Sequence, residues 1–186
     1  MKKHIITLSG YPGSGKSSTA DRLATILEYK RFSSGDFMRA VAASRGITLE
    51  QLGTIAESDR SVDDAIDAEI KKAGELDNLV IDSRLAYHWI PESFRVYLKL
   101  DPQTAATRIF GHIQEVGRVG QTAQTIEEVY EKMIMRIESE KKRYHALYEI
   151  DYTNVQNFDL VVDTGSHTLE EVAQTILAEY KNWSAQ

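Results

Sequence analysis

A chain of 186 residues that is 42% hydrophobic and 27% charged has the length and composition of one folded domain with a core of its own, which argues against a disordered or membrane-embedded protein. The net charge of −6, from 22 basic and 28 acidic side chains, gives no global field for nucleic acid or anionic lipid, so an anionic ligand would have to be held by individually placed arginines. With no cysteine there are no disulfides, thiolate metal sites or thiol catalysis, and the composition suits a reducing, cytoplasmic setting.

The first apolar run, Ile5 to Leu8, is too short for a signal or membrane-spanning segment and reads as a strand over His4–Ser9. Gly10-Tyr11-Pro12-Gly13-Ser14-Gly15-Lys16-Ser17 follows, matching G-x-x-x-x-G-K-[ST], and a helix is expected over Lys16–Leu27. Glycines at this spacing let backbone N–H groups curl around phosphate oxygens, and the helix adds the positive end of its dipole. The expected ATP-binding set is Gly10, Pro12, Gly13, Ser14, Gly15, Lys16, Ser17 and Ser18, with Lys16 reaching the β- and γ-phosphates and the Ser17 hydroxyl on Mg²⁺. The bland alternative is a glycine-rich turn whose lysine is merely solvated.

A strand over Tyr29–Ser33 leads into a helical insertion, roughly 34–74, with helices expected at Asp36–Ser44, Leu49–Ala56 and Asp63–Ala73. Taken alone, Asp36 reads as an N-cap and Arg39 as a surface residue, while Asp59, Asp63 and Asp67, four apart, read as a solvated helix face. The strand Asn78–Asp82 ends in a carboxylate of the kind that holds Mg²⁺ beside a phosphate loop; a solvated or helix-capping Asp82 is the alternative. Arg84 follows at the same carboxyl edge of the sheet.

A strand over Phe94–Leu100 precedes Pro102, placed at the first position of a helix Pro102–Glu115. Residues 111–125 contain three glycines and read as a mobile loop; Arg108 just before it and Arg118 within it either swing onto nucleotide phosphates or are plain surface charges. On the next helix, Ile126–Glu149, the apolar stripe Val129, Met133, Ile137, Tyr144 and Leu147 also contains Glu140, and Arg136 and Arg143 share that side. Either Arg136 and Glu140 form an ordinary salt bridge with Arg143 solvated, or the arginines form an inward clamp for phosphoryl oxygens. A strand at Phe158–Asp163 and a helix at Leu169–Lys181 close the chain, and the five histidines show no ligand spacing. Alternation of strands and helices predicts a parallel sheet.

Together, the phosphate loop, Ser34-Gly35-Asp36-Phe37-Met38-Arg39, Asp82-Ser83-Arg84 and Arg136-Ile137-Glu138-Ser139-Glu140-Lys141-Lys142-Arg143-Tyr144 resemble the cytidylate kinase family in its compact, short-insert form. The resemblance implies a three-layer α/β P-loop kinase fold of one domain, with a five-stranded parallel sheet flanked by helices, a nucleoside monophosphate (NMP)-binding insertion near 34–74 and a lid near 111–125. It implies transfer of the ATP γ-phosphate to CMP or dCMP with Mg²⁺, by a monomer whose partners are small nucleotides. Ser34, Asp36, Arg39, Arg84, Arg136 and Glu140 would lie at the acceptor, with Arg39 and Arg84 on its phosphate. Lys16, Arg136 and Arg143 would be catalytic, Arg108 would reach ATP, and Ser17 and Asp82 would take the metal. Two departures stand out: Ser83 occupies a position where the family usually has glycine, and the 111–125 insertion is long for a compact relative. The rivals are a P-loop kinase for AMP, UMP or a small metabolite, and a nucleotide-gated switch, against which the absence of N-K-x-D counts.

Overall fold

The computed structural model describes residues 3–116 and 123–185. In chain order the elements are β1 (Ile5–Gly10), α1 (Lys16–Leu27), β2 (Lys30–Ser33), α2 (Ser34–Ser44), α3 (Leu49–Ala56), α4 (Ser61–Ala73), β3 (Leu79–Asp82), α5 (Ala86–Trp89), β4 (Phe94–Lys99), α6 (Pro102–Val116), α7 (Ile126–Tyr148), β5 (Leu160–Asp163) and α8 (Leu169–Ser184).

All strand pairs are parallel, and the sheet order is β2-β3-β1-β4-β5. β1 is central and wholly buried, so its alternate side chains feed two cores. Ile6 and Leu8 point to the side covered by α1 and α8, with Val80, Val96, Leu98 and Ile176. Ile5 points to the other side, with Ile70 of α4, Ile81 and Ile90. Each fully buried Ile or Leu here is worth about 1.5–3 kcal/mol relative to exposure. The result is a three-layer α/β/α fold, as expected. Helices α2, α3 and α4 share a separate small core of Ala42, Leu52, Ala56 and Val62.

Several local expectations are corrected. Asp36 is not an N-cap: α2 starts at Ser34, and Ser33 caps it by accepting from the Asp36 amide at 3.2 Å. Asp36 is in the first turn, where its charge suits the helix dipole. The stretch 111–115, which falls both in the expected helix Pro102–Glu115 and in the expected glycine-rich loop, is helical, and α6 runs on to Val116. A Cβ at Gly111 would meet nothing within 4 Å, so this glycine sits at an open position of the helix, where its poor propensity is outweighed by the packing of α6 on α7. Of that expected loop, residues 117–122, including Arg118, lie outside the described residues. The short α5 was not foreseen, and α7 ends one residue early because Glu149 adopts a left-handed φ of 59°.

Candidate active site

The carboxyl ends of β3, β1 and β4 lie side by side, and the Gly10–Ser17 loop rises from the middle one. Its curl depends on glycine. Gly13 and Gly15 have φ of +79° and +86°, and a Cβ on Gly10, whose φ is +138°, would collide with the Leu98 carbonyl oxygen of β4. Gly15 is the N-cap of α1 and supplies no side-chain cap, so the first amides of the helix are left for another acceptor. Ser14 is fully buried, Pro12 is half-buried and Ser18 is exposed.

Lys16 folds back over the loop, its Nζ donating to the carbonyls of Gly10 at 2.9 Å and Tyr11 at 2.8 Å. Desolvation lowers its pKa to about 8, against the opposing pull of Asp82. Ser17 Oγ donates to Asp82 Oδ2 at 2.7 Å, and Ser34 Oγ donates to the Asp82 carbonyl at 3.3 Å. The strand-end carboxylate, the loop hydroxyl and the start of α2 therefore meet at one point.

Opposite them, Glu140 is 5% exposed and lies between two arginines. Its Oε2 is 2.6 Å from Arg84 Nε and its Oε1 is 2.8 Å from Arg136 Nε; the Tyr152 hydroxyl donates to Oε2 at 3.4 Å. In each ion pair the closest approach is through Nε, at the root of the guanidinium rather than at the terminal nitrogens that fork onto a phosphate. The Arg84 contact is short but its N–H is not aligned with the oxygen, so it acts as an ion pair more than as a hydrogen bond. Burial alone would raise the Glu140 pKa, yet Arg84 first and then Arg136 hold it below the ordinary carboxylate range. The Arg136–Glu140 bridge thus exists, but Arg84 shares its carboxylate.

Arg143 faces the same side and is held by Asp63 of α4, with Nε 2.7 Å from Oδ2. This corrects the reading of Asp63 and Asp67 as a solvated face, since they are 2% and 5% exposed. Asp67 accepts from Trp89 Nε1 at 2.9 Å and from the Tyr148 hydroxyl at 2.5 Å, and a third link joins Ser139 of α7 to Glu57, at 2.6 Å. Only Asp59 is exposed, bonded to the Ser61 amide. The signal for Asp63 and Asp67 was present: each lies beside the apolar stripe Val62, Ile66 and Ile70 of α4.

Arg39 is half-exposed and bonded to Asp36 at 2.5 Å. Arg108 Nη2 donates to the Thr164 carbonyl just past β5, at 2.7 Å, which fixes it at the loop's other flank. Among the described residues, no three His, Cys, Asp or Glu side chains are grouped to hold a metal.

The AAA domain family matches residues 9–127. A cytidylate kinase of Methanocella arvoryzae is 36% identical over 92% of this chain and 94% of that protein. An S-adenosylmethionine-dependent nucleotide dehydratase of Lacinutrix mariniflava is 32% identical over 98% of this chain, a match that spans 37% of that protein. Among solved structures, a shikimate kinase from Bacteroides thetaiotaomicron has the same fold, with a TM-score of 0.66 and 15% identity over 95% of this chain and 98% of that one. Sequence identity of this order along nearly the whole length places the chain in the cytidylate kinase family of P-loop nucleoside monophosphate kinases.

Proposed function

We propose that the protein transfers the γ-phosphate of ATP to CMP or dCMP, giving ADP and CDP or dCDP. The observation that carries this is Glu140, buried between Arg84 and Arg136 across from Lys16: a nucleotide-binding domain without transfer chemistry has no use for this cluster. In the reaction an oxygen of the acceptor monophosphate attacks the γ-phosphorus, a new P–O bond forms, and the bond to the β,γ-bridging oxygen breaks as ADP leaves. The attacking oxygen is already ionised near neutral pH, so no general base is required.

Catalysis is then positioning and charge neutralisation. The loop from Gly10 to Ser18 wraps the donor phosphates, Lys16 neutralises the β- and γ-oxygens, and Arg108 lies at the donor side. Ser34, Asp36, Arg39 and Arg84 receive the acceptor, Glu140 orients Arg84 and Arg136, and Arg136 with Arg143 covers the moving phosphoryl group. The Ser17 hydroxyl and the Asp82 carboxylate, 2.7 Å apart, are hard oxygen donors suited to Mg²⁺, which takes few protein ligands and completes its shell with water and phosphate. When bound there, Mg²⁺ would offset charge on the β- and γ-phosphate oxygens. Residues 34–74 would cover the acceptor, keeping water from competing. We read the protein as a monomer of the cytoplasm working on small nucleotides. No helix among the described residues is long and apolar enough to cross a membrane.

The test is one coupled assay of ATP with CMP, dCMP, UMP, AMP and GMP. CMP and dCMP should be the best acceptors. Turnover confined to AMP, or ATP hydrolysis that no monophosphate stimulates, overturns the cytidine assignment. Arg136→Ala should lower kcat on the order of 10²–10³-fold while ATP binding persists.

A further inference from the structure

Arg31 of β2 belongs to none of the sets assigned above, yet its guanidinium meets carboxylates from three elements. Nε lies 3.2 Å from Asp21 Oδ1 of α1, Nη1 lies 3.3 Å from Asp36 Oδ2 of α2, and Nη2 lies 3.8 Å from Asp82 Oδ2 of β3. Sheet register accounts for the placement. Arg31 pairs with Val80 and Ser33 with Asp82, so Arg31 lies one pleat behind Asp82 on the face covered by α1. Two of these carboxylates are already engaged in the site: Asp82 Oδ2 accepts from Ser17, and Asp36 Oδ1 accepts from Arg39. Contacts therefore run without a break from Ser17 through Asp82, Arg31 and Asp36 to Arg39, from the metal side to the acceptor side. A planar guanidinium spreads its donors over three nitrogens in a fixed fork and so reaches carboxylates from three elements, whereas an ammonium holds its donors at a single nitrogen.

We infer that Arg31 is a positioning residue, a shared counter-ion of Asp82 and Asp36 that sets the metal affinity of the Ser17–Asp82 pair against the availability of Arg39 for the acceptor. This rests on the phosphoryl-transfer reading. Its two effects have opposite signs. A cation beside Asp82 weakens that carboxylate's pull on Mg²⁺, so removing Arg31 tightens metal binding. By occupying Oδ2 of Asp36, Arg31 also keeps that carboxylate from closing wholly on Arg39; without Arg31, Arg39 is neutralised and the acceptor binds more weakly. Sites linked in this way are coupled reciprocally. Simple loss of structure would weaken both ligands together.

The experiment is equilibrium titration of wild type, Arg31→Gln and Arg31→Lys with ATP at graded free Mg²⁺, and separately with CMP or whichever monophosphate the wild type binds best. Arg31→Gln should lower the half-saturating Mg²⁺ about threefold and raise the monophosphate Kd about fivefold, the scale of one partly exposed ion pair. Arg31→Lys, which keeps the charge and guards against a misfolded glutamine variant, should restore the Mg²⁺ constant more fully than the acceptor constant. Both constants moving the same way, or neither moving in either variant, overturns the assignment of Arg31. A wild type that phosphorylates no monophosphate instead overturns the kinase reading, and the Mg²⁺ titration still decides whether Arg31 acts on Asp82.

Discussion

Arg143 Nε lies 2.7 Å from Asp63 Oδ2, and this buried ion pair joins the last third of α7 to the first turn of α4. Burial raises the Asp63 pKa above the ordinary carboxylate value, with Arg143 pulling against it. Arg143→Ala leaves the carboxylate buried and unpaired, a loss of about 3 kcal/mol at neutral pH. A carboxyl whose folded pKa is raised destabilises the fold above that pKa, and the penalty disappears as pH falls through it. Without Arg143 the pKa rises further, so the difference between wild type and variant should shrink as pH falls from 7 toward the ordinary carboxylate value of about 4 in urea melts. A difference that stays constant over that range would show that Asp63 is not the group left uncompensated.

Glu140 behaves in the opposite sense. Burial would raise its pKa, but Arg84 and Arg136 bring it below the usual range, so the stability it confers is present above the unfolded pKa and lost as pH falls through the folded one. Glu140→Gln preserves shape and leaves two arginines without their carboxylate, with an expected loss of about 3 kcal/mol at pH 7 that closes below roughly pH 4. Turnover should fall on the order of 10²-fold. Adding Arg84→Met should recover part of the stability and none of the turnover. Recovery of both would mean that the cluster only holds the fold.

Much of this was legible because it is local. The phosphate loop is continuous in sequence, strand alternation predicts the parallel sheet, and the inward position of Glu140 follows from helical spacing on α7. What escaped depends on partners distant in the chain. Asp63 and Asp67 share the i, i+4 pattern of a solvated acidic face, and their burial is decided by Arg143, Trp89 and Tyr148. Arg31 belongs to no sequence motif, and its place is set by Asp21, Asp36 and Asp82, which converge on it from three elements. Asp36 looked like a cap because Asp is a good one, but Ser33 occupies that position. The end of α6 falls within one residue of its expected place, but the loop expected from Gly111 onward does not begin there: glycine signals a break by propensity, and packing against α7 overrides it.

Lys16 should make nucleotide binding pH-dependent. With a pKa near 8 it is partly neutral in mild alkali, and a triphosphate over the loop favours the charged form. ATP affinity should therefore fall as pH rises from 7 to 9, with proton uptake on binding at pH 8.5, read by calorimetry in buffers of different ionisation heats. Lys16→Met should abolish both effects. A lowered lysine pKa costs stability at neutral pH, so Lys16→Met should also stabilise the free protein. We expect about 1 kcal/mol, below the roughly 3 that the shift converts to, because the side chain is only half-buried and still meets water. Unchanged ATP affinity from pH 7 to 9 would remove Lys16 from the donor site.

Gly13 and Gly15 both have positive φ, yet they should respond differently to a methyl group. A Cβ at Gly13 would lie 2.8 Å from the Ala105 carbonyl oxygen and 3.1 Å from Ile109 Cγ1, against the backbone of α6, whereas at Gly15 the nearest atom is Thr19 Oγ1 at 4.0 Å. Gly15→Ala carries only the left-handed backbone strain, about 1–2 kcal/mol. Gly13→Ala adds a clash with a helix that cannot yield by rotating a side chain, for a total of about 3 kcal/mol or more. At roughly 2–4 °C per kcal/mol for a chain of this size, the two melting temperatures should differ by several degrees. Equal losses would mean that the loop does not rest on α6. A larger loss at Gly13 would mean that α6, which also carries Arg108, sets the height of the loop, so that ATP affinity should fall with the melting temperature in this variant.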